Sequence, residues 1–117
     1  MILNGFERKL SSGELLFRQG DPPDEVYMVK DGKIRIYLDK NGEKKQLAVI
    51  SEGEFIGEMA IIDGKPRSAS AEAIEDCVVL VLNRQSIQRQ IEEDPLMGAL
   101  ISTLVRRLRN MDRKLSR

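Results

Sequence analysis

From about residue 26 to residue 81, hydrophobic and polar residues alternate, or several hydrophobic residues follow one another over the length of a strand. Alternation with a period of two predicts strands that bury one face, and short runs bounded by turn residues predict antiparallel β structure. Asn41-Gly42 stands between two such runs and predicts a two-residue hairpin turn, because both residues tolerate positive φ. The apolar segments are Val26–Met28, Ile34–Leu38, Leu47–Val49 and Val79–Val81, and the turn pairs beside them are Gly20-Asp21, Asp31-Gly32, Asn41-Gly42 and Glu52-Gly53.

After residue 82 the spacing of apolar positions changes from that of strands to that of helices. Asn83 can cap a first helix with its side chain, and Asp94-Pro95 combines a cap with a proline suited to the first position of a second helix. Short strands with regular turns favour a sandwich or jelly roll around one core. The sequence therefore predicts a mainly β fold with C-terminal helices: a jelly-roll β-barrel (double-stranded β-helix) followed by two α-helices.

The composition limits the chain to one domain. Its 117 residues, of which 41% are hydrophobic, can build one modest core. We expect a single domain over residues 1–117, with the barrel over about 10–82 and the helices over about 84–117. Lysine plus arginine equals aspartate plus glutamate at 19 each, so the net charge is zero and gives no reason to expect direct contact with nucleic acid.

Several classes of site are excluded by the residues that are missing. The chain has no histidine and a single cysteine, Cys77, so it lacks the imidazole ligands of cupin-type metal sites and the parts of a serine or cysteine triad. One cysteine cannot hold an iron–sulfur cluster, and in its apolar setting Cys77 is expected to be a small core residue rather than a redox sensor. We expect a protein that is not an enzyme and needs no metal or cofactor.

No apolar run is long enough to cross a membrane and no leader opens the chain, which predicts a cytoplasmic protein.

The segment from Phe55 to Ala73 carries residues suited to a phosphate and a sugar. If Gly57–Ile62 opens a short helix, its unpaired N–H groups and the positive end of its dipole favour an anion. Arg67 can add a charge-assisted fork of donors to that anion, and the ionised Glu58 suits a sugar hydroxyl because it can only accept. The alternative is structural: glycines that permit turns, and a surface ion pair of Arg67 with Glu58 or another carboxylate.

Taken in order, these residues resemble the phosphate-binding cassette of the cyclic nucleotide-binding domain family. The cassette, residues 55–73, contains the matching motifs Gly57-Glu58-Met59-Ala60, Asp63-Gly64 and Pro66-Arg67-Ser68-Ala69. Upstream, Gly13–Asp21, Val26–Val29 and Gly32–Ile36 are similar to the early barrel strands of that family. Roughly residues 10 to 115 follow the pattern of the ligand-binding half of the catabolite activator protein and of kinase regulatory subunits.

The resemblance implies a sensor that binds a cyclic nucleotide without reacting with it. The phosphate would meet Arg67, Ser68 and the N–H groups near Ala60, and the ribose 2′-hydroxyl would meet Glu58. Met111 would cover the base and Asn110 or Asp112 would meet its edge. Cyclic AMP is favoured over cyclic GMP as the ligand. Binding would then move the C-terminal helices against the barrel. The complete set of expected ligand-binding residues is Gly57, Glu58, Met59, Ala60, Arg67, Ser68, Ala69, Asn110 and Met111.

The second predicted helix carries an apolar seam at heptad spacing. Its members are Met97, Ile101, Leu104, Leu108, Met111 and Leu115. The pattern allows two interpretations, a helix that packs on the barrel and is then solvated, or a parallel dimer of two chains, which the resemblance favours. Two other functions stay open: a degenerate fold that acts as a dimerisation module, and a fragment of a transcription regulator that lacks its DNA-binding domain. The effector is unknown.

Overall fold

Eight strands and two helices follow one another in residues 5–59 and 64–116, which are the residues that the computed structural model describes. The strands are β1 (Gly5–Leu10), β2 (Leu15–Phe17), β3 (Glu25–Asp31), β4 (Ile34–Lys40), β5 (Glu43–Ile50), β6 (Phe55–Ile56), β7 (Ser70–Ala73) and β8 (Cys77–Asn83). The helices are α1 (Arg84–Glu93) and α2 (Pro95–Ser116). The predicted fold class, mainly β with two C-terminal helices, is confirmed. The strands begin at Gly5, whereas the sequence interpretation started the barrel near residue 10.

The strands form two antiparallel sheets that face each other. One sheet has the order β1-β8-β3-β6 and the other β2-β7-β4-β5, so the chain passes repeatedly from one sheet to the other, as in a jelly roll. The shared core contains Val29 and Val79 from the first sheet and Ile34 from the second, each completely buried. The architecture is a roll of two sheets around one core.

The turn between β4 and β5 agrees with the sequence pattern. Asn41 and Gly42 have φ angles of 54° and 83° and join the two strands, which confirms the predicted hairpin turn.

Cys77 is buried in the core, where burial raises the pKa of its thiol. The thiol therefore stays protonated at neutral pH, as expected of a structural core residue.

Both helix starts use the predicted caps. The Asn83 side chain accepts hydrogen bonds from the backbone N–H groups of Gln85, at 2.8 Å, and Ser86, at 3.3 Å, and α1 follows it directly. The Asp94 carboxylate accepts from the N–H of Met97 at 3.2 Å, and α2 begins at the next residue, Pro95.

The two helices pack mainly on each other. A Cβ atom at Gly98 would lie 2.7 Å from the carbonyl oxygen of Ile91, so the helices approach more closely there than a larger residue allows. Much of the apolar seam of α2 remains uncovered in this single chain, since Leu104 and Met111 are exposed. The side chains of Leu108 and Leu115 lie outside the described residues. Neither helix is long and apolar enough, over the residues described, to cross a membrane.

Candidate anion-binding site

Arg67 has a buried guanidinium rather than a surface one. Only 8% of the residue is exposed, and its Nη2 donates a hydrogen bond of 2.6 Å to the backbone carbonyl oxygen of Glu25. The guanidinium carbon lies 4.3 Å from the ring centroid of Phe17 and 5.6 Å from that of Tyr27. Attraction between the cation and these aromatic rings helps to hold the guanidinium inside the fold.

The backbone of Arg67 is held by the same part of the chain. Its N–H donates to the carbonyl oxygen of Asp21 at 2.9 Å, and its own carbonyl accepts from the N–H of Gly20 at 2.8 Å. We call Gly20–Glu25 the proline loop, because it contains Pro22 and Pro23, whose rings restrict its backbone. Backbone and side chain of Arg67 are therefore both fixed to this loop.

Gly57 lies directly beside the guanidinium. It follows β6, whose pairing with β3 brings it close to the Glu25 carbonyl. Gly57 has a φ of 82°, and a Cβ atom there would collide with Nη1 of Arg67. Glycine is required at this position twice over, for its positive φ and for the close approach. The structure thus brings together two of the expected cassette residues, Gly57 and Arg67.

The charge of Arg67 is not balanced by an ion pair with any residue that the structure describes. Glu58 is half-buried in the turn after Gly57. The alternative of a surface ion pair of Arg67 with Glu58 or another carboxylate is wrong for the residues described. Burial is the reason, since the guanidinium is turned inward to a backbone carbonyl. Its Nε is also buried and has no hydrogen-bond partner among the described groups. A buried cation with an unused donor suits an incoming anion.

A polar cavity of about 350 Å³ borders Arg67 and is lined by the proline loop and by residues of β1, β2 and β3. Glu25 lines it and accepts from the Tyr27 hydroxyl at 2.7 Å and from Arg8 Nη2 at 3.3 Å. Burial, followed by the hydrogen bond to Glu25, raises the pKa of Tyr27 to about 12. Tyr27 therefore remains a hydrogen-bond donor and anchors the residue whose carbonyl holds Arg67.

The interior is less completely filled toward β5. The register pairs Ile36 with Ala48 and Ile34 with Ile50, so these side chains share the inner face of their sheet. Ile34 is fully buried, whereas Ile36 and Ile50 are only partly buried and Ala48 is exposed. This leaves inward-facing apolar surface that a ligand could cover.

The remaining predicted site residues divide into three groups. Met59 is half-buried, Ser68 is exposed and Ala69 is buried, all within the cassette. Gly57–Met59 form a bend and turn, and the other half of the short helix expected over 57–62, which includes Ala60, lies outside the described residues. Asn110 and Met111 are exposed on the distal part of α2, which packs on α1. The structure does not bring these last two residues into the group around Arg67.

The sequence pattern did not identify Phe17, Tyr27 and the Glu25 carbonyl as neighbours of Arg67. The two aromatic residues fit the predicted strands equally well as ordinary core residues. The Glu25 acceptor is a main-chain carbonyl, which every residue has, so the amino-acid sequence cannot indicate it.

Comparisons with known proteins agree with this geometry. The family model described as "Cyclic nucleotide-binding domain" matches residues 7–94. The cyclic AMP receptor protein of Thermus thermophilus is 38% identical, over 98% of this chain and 55% of its own length. A cAMP-dependent protein kinase regulatory subunit of Eremothecium gossypii is 33% identical, over 76% of this chain and 19% of its own length. The chain thus spans about half, or less, of these relatives.

A solved structure is also similar in shape. The cAMP-bound form of the EAL enzyme Bd1971 matches with a TM-score of 0.72 and 33% identity, over 91% of this chain and 29% of that one. The cGMP-bound form of the same enzyme matches with a TM-score of 0.73 and 32% identity, over 93% of this chain and 30% of that one.

Proposed function

This chain belongs to the cyclic nucleotide-binding domain family, and from that premise we propose that it is a cytoplasmic regulatory sensor for cyclic AMP. The observation that carries the proposal is the buried Arg67, which has an unused Nε donor, has no ion-pair partner among the described residues and lies against Gly57. A charge buried without a counter-ion is costly, and a bound phosphodiester would supply that counter-ion.

In this proposal each group has a task in ligand binding. Nη2 of Arg67 remains on the Glu25 carbonyl and fixes the guanidinium, while Nε and Nη1 carry donors for the phosphate. Ser68 is exposed beside Arg67 and can donate to another phosphate oxygen, and Glu58 accepts from the ribose 2′-hydroxyl. The ligand leaves unchanged, because the chain has no histidine and none of these groups is an activated nucleophile.

The choice of cyclic AMP over cyclic GMP rests on the relatives. Both curated relatives carry cyclic AMP in their names, whereas the similar EAL enzyme has a cAMP-bound and a cGMP-bound form. Asn110 and Met111 would contact the base only if α2 moves toward the sandwich or a second chain supplies them. Both nucleotides therefore belong in the test.

Removing Arg67 should abolish most of the binding. We expect Arg67→Ala to weaken binding of cyclic AMP at least tenfold, by about 2–5 kcal/mol, since it deletes one partner of a buried charged pair. Isothermal titration calorimetry with cyclic AMP and cyclic GMP measures this directly. Arg67→Lys retains the charge and stem, and Arg89→Ala removes an exposed arginine of α1 as the matched control. Dissociation constants for Arg67→Ala equal to those of the unaltered chain would rule out the assigned site.

One observation favours a second function, that of an interaction module. Large apolar side chains of α2 are exposed in the single chain, among them Leu96, Leu100 and Leu104. If neither nucleotide binds at millimolar concentration, the degenerate fold acting through this helix becomes the better proposal. A piece of a transcription regulator is compatible with both functions, because the chain matches 55% of the Thermus relative.

A further inference from the structure

Arg84, the first residue of α1, reaches the phosphate-binding cassette with its side chain. A Cβ atom at Gly64 would lie 2.9 Å from Nη2 of Arg84 and 3.4 Å from its Cζ. Gly64 also has a φ of 60°, so both the backbone conformation and the close approach favour glycine. The guanidinium of Arg84 thus rests against the backbone of the cassette three residues before Arg67.

The backbone of Arg84 is bound to the proline loop. Its N–H donates to the carbonyl oxygen of Asp24 at 2.9 Å. The next residue of that loop, Glu25, accepts from the guanidinium of Arg67, and Asp21 accepts from the Arg67 N–H. The first residue of α1 therefore contacts both the cassette and the loop that fixes the anion-binding arginine.

A displacement of this first residue would be transmitted to α2. The backbone of Gly98 in α2 packs against the carbonyl oxygen and the Cγ2 methyl of Ile91 in α1. Asp94 links the two helices, since its N–H donates to the carbonyl oxygen of Gln90 at 3.0 Å and its carbonyl oxygen accepts from the N–H of Gly98 at 2.8 Å. Because Gly98 places no side chain between the helices, α1 and α2 are in close contact there, which favours their movement as one body.

We propose that Arg84 is the residue that couples occupancy of the Arg67 site to the position of α1 and α2. It is a positioning residue, which acts through Gly64 and the proline loop and does not touch the ligand. A ligand that shifts the cassette must change the contact between Gly64 and Arg84, and the helices respond by the difference in free energy between the two arrangements. The response to ligand rests on the proposed function, whereas the coupling contact exists without ligand.

The contact is tested first without ligand, by hydrogen–deuterium exchange of the complete chain. We expect Arg84→Ala to speed amide exchange in cassette residues 55–59 and 64–69 and in the first turn of α1 by roughly fivefold, which corresponds to about 1 kcal/mol of opening free energy. Exchange in the core strands β3 and β8 should stay unchanged, which shows that the variant is folded. Arg89→Ala, an exposed arginine on the same helix, should leave all of these rates unchanged. Equal cassette rates in the two variants would overturn the proposal.

The second arm adds cyclic AMP. In the unaltered chain we expect the ligand to slow exchange in the cassette and to change exchange in α1 and α2. In Arg84→Ala the cassette should still be protected and affinity should change less than tenfold, while the helix response falls by at least half. A full helix response in the variant, or a loss of affinity as large as that of Arg67→Ala, would each overturn the proposal. If the unaltered chain binds neither nucleotide, the proposed function fails, and the ligand-free comparison still decides on the coupling contact.

Discussion

Any side chain at position 57 would overlap the guanidinium of Arg67, so the conformation of Arg67 depends on a glycine at this position. The positive φ of Gly57 and the nearby Nη1 make two separate demands on the same position. Gly53 offers a comparison, because it has a nearly equal φ of 84° but nothing within 4 Å of the place where a Cβ atom would lie. The two glycines allow the cost of backbone strain to be separated from the cost of displacing the arginine.

We expect Gly57→Ala to lower the free energy of unfolding by about 2–4 kcal/mol, and Gly53→Ala by about 1 kcal/mol. The difference is the cost of moving a buried guanidinium away from its carbonyl acceptor and aromatic neighbours. Urea unfolding of both variants measures it, and calorimetry should show weaker nucleotide binding only for Gly57→Ala. Equal destabilisation by the two substitutions would contradict the close approach of Gly57 to Arg67.

At this scale the sequence predicts residue types better than it predicts their partners. Gly57, Glu58 and Arg67 could be assigned to the cassette because their order and spacing lie within one short segment. The acceptor of the Arg67 guanidinium is a main-chain carbonyl 42 residues away along the chain, which no local pattern can specify. For the same reason the contact between Gly64 and Arg84 depends on the fold and not on spacing.

Strand β3 changes the character of its inner face along its length. Val29 belongs to the apolar core, whereas Tyr27 and Glu25, at successive inward positions, form the polar network beside Arg67. The alternation that predicts a strand is preserved, but the face turns polar where the site begins. This strand thus contributes to the core at one end and to the candidate anion-binding site at the other.

This network should make stability fall in alkaline solution. Because the pKa of Tyr27 is raised to about 12 from about 10, its contribution to stability is complete below pH 10 and is lost as the pH rises toward 12. At pH 11 the loss amounts to about 1 kcal/mol. Urea unfolding at pH 8 and pH 11 should show this drop for the unaltered chain and a smaller one for Tyr27→Phe.

The chain's other tyrosine supplies the control for that experiment. Tyr37→Phe should retain the part of the alkaline loss that disappears in Tyr27→Phe. An identical pH dependence in the unaltered chain and Tyr27→Phe would contradict the buried hydrogen bond to Glu25.

Local signals explain which elements the sequence predicts well. The caps Asn83 and Asp94 and the hairpin turn at Asn41-Gly42 depend on neighbouring residues, and all three were predicted correctly. The two-residue β6 and the order of strands within each sheet depend on partners distant in sequence. The packing of α1 against α2 at Gly98 is likewise visible only in the folded chain.

At the scale of the whole molecule, α2 leaves an apolar surface that a second copy could cover. We expect the chain to form a homodimer through the seam of Met97, Ile101, Leu104, Leu108, Met111 and Leu115. Leu104→Glu should convert it to a monomer of 13.3 kDa, because a buried carboxylate in the seam would lack a partner. Sedimentation equilibrium measures the mass. Ala99→Glu, an exposed position outside the seam, should leave the dimer intact, and a monomeric unaltered chain would contradict the pairing.

The position of Cys77 has a practical consequence for following these motions. The only thiol of the chain is shut inside the core in its protonated form, so maleimide dyes and spin labels should leave the native protein untouched. A cysteine introduced on an exposed face of α2 would then be the single reactive thiol. Displacement of the helix could be recorded by fluorescence or electron paramagnetic resonance without replacing Cys77 in the core.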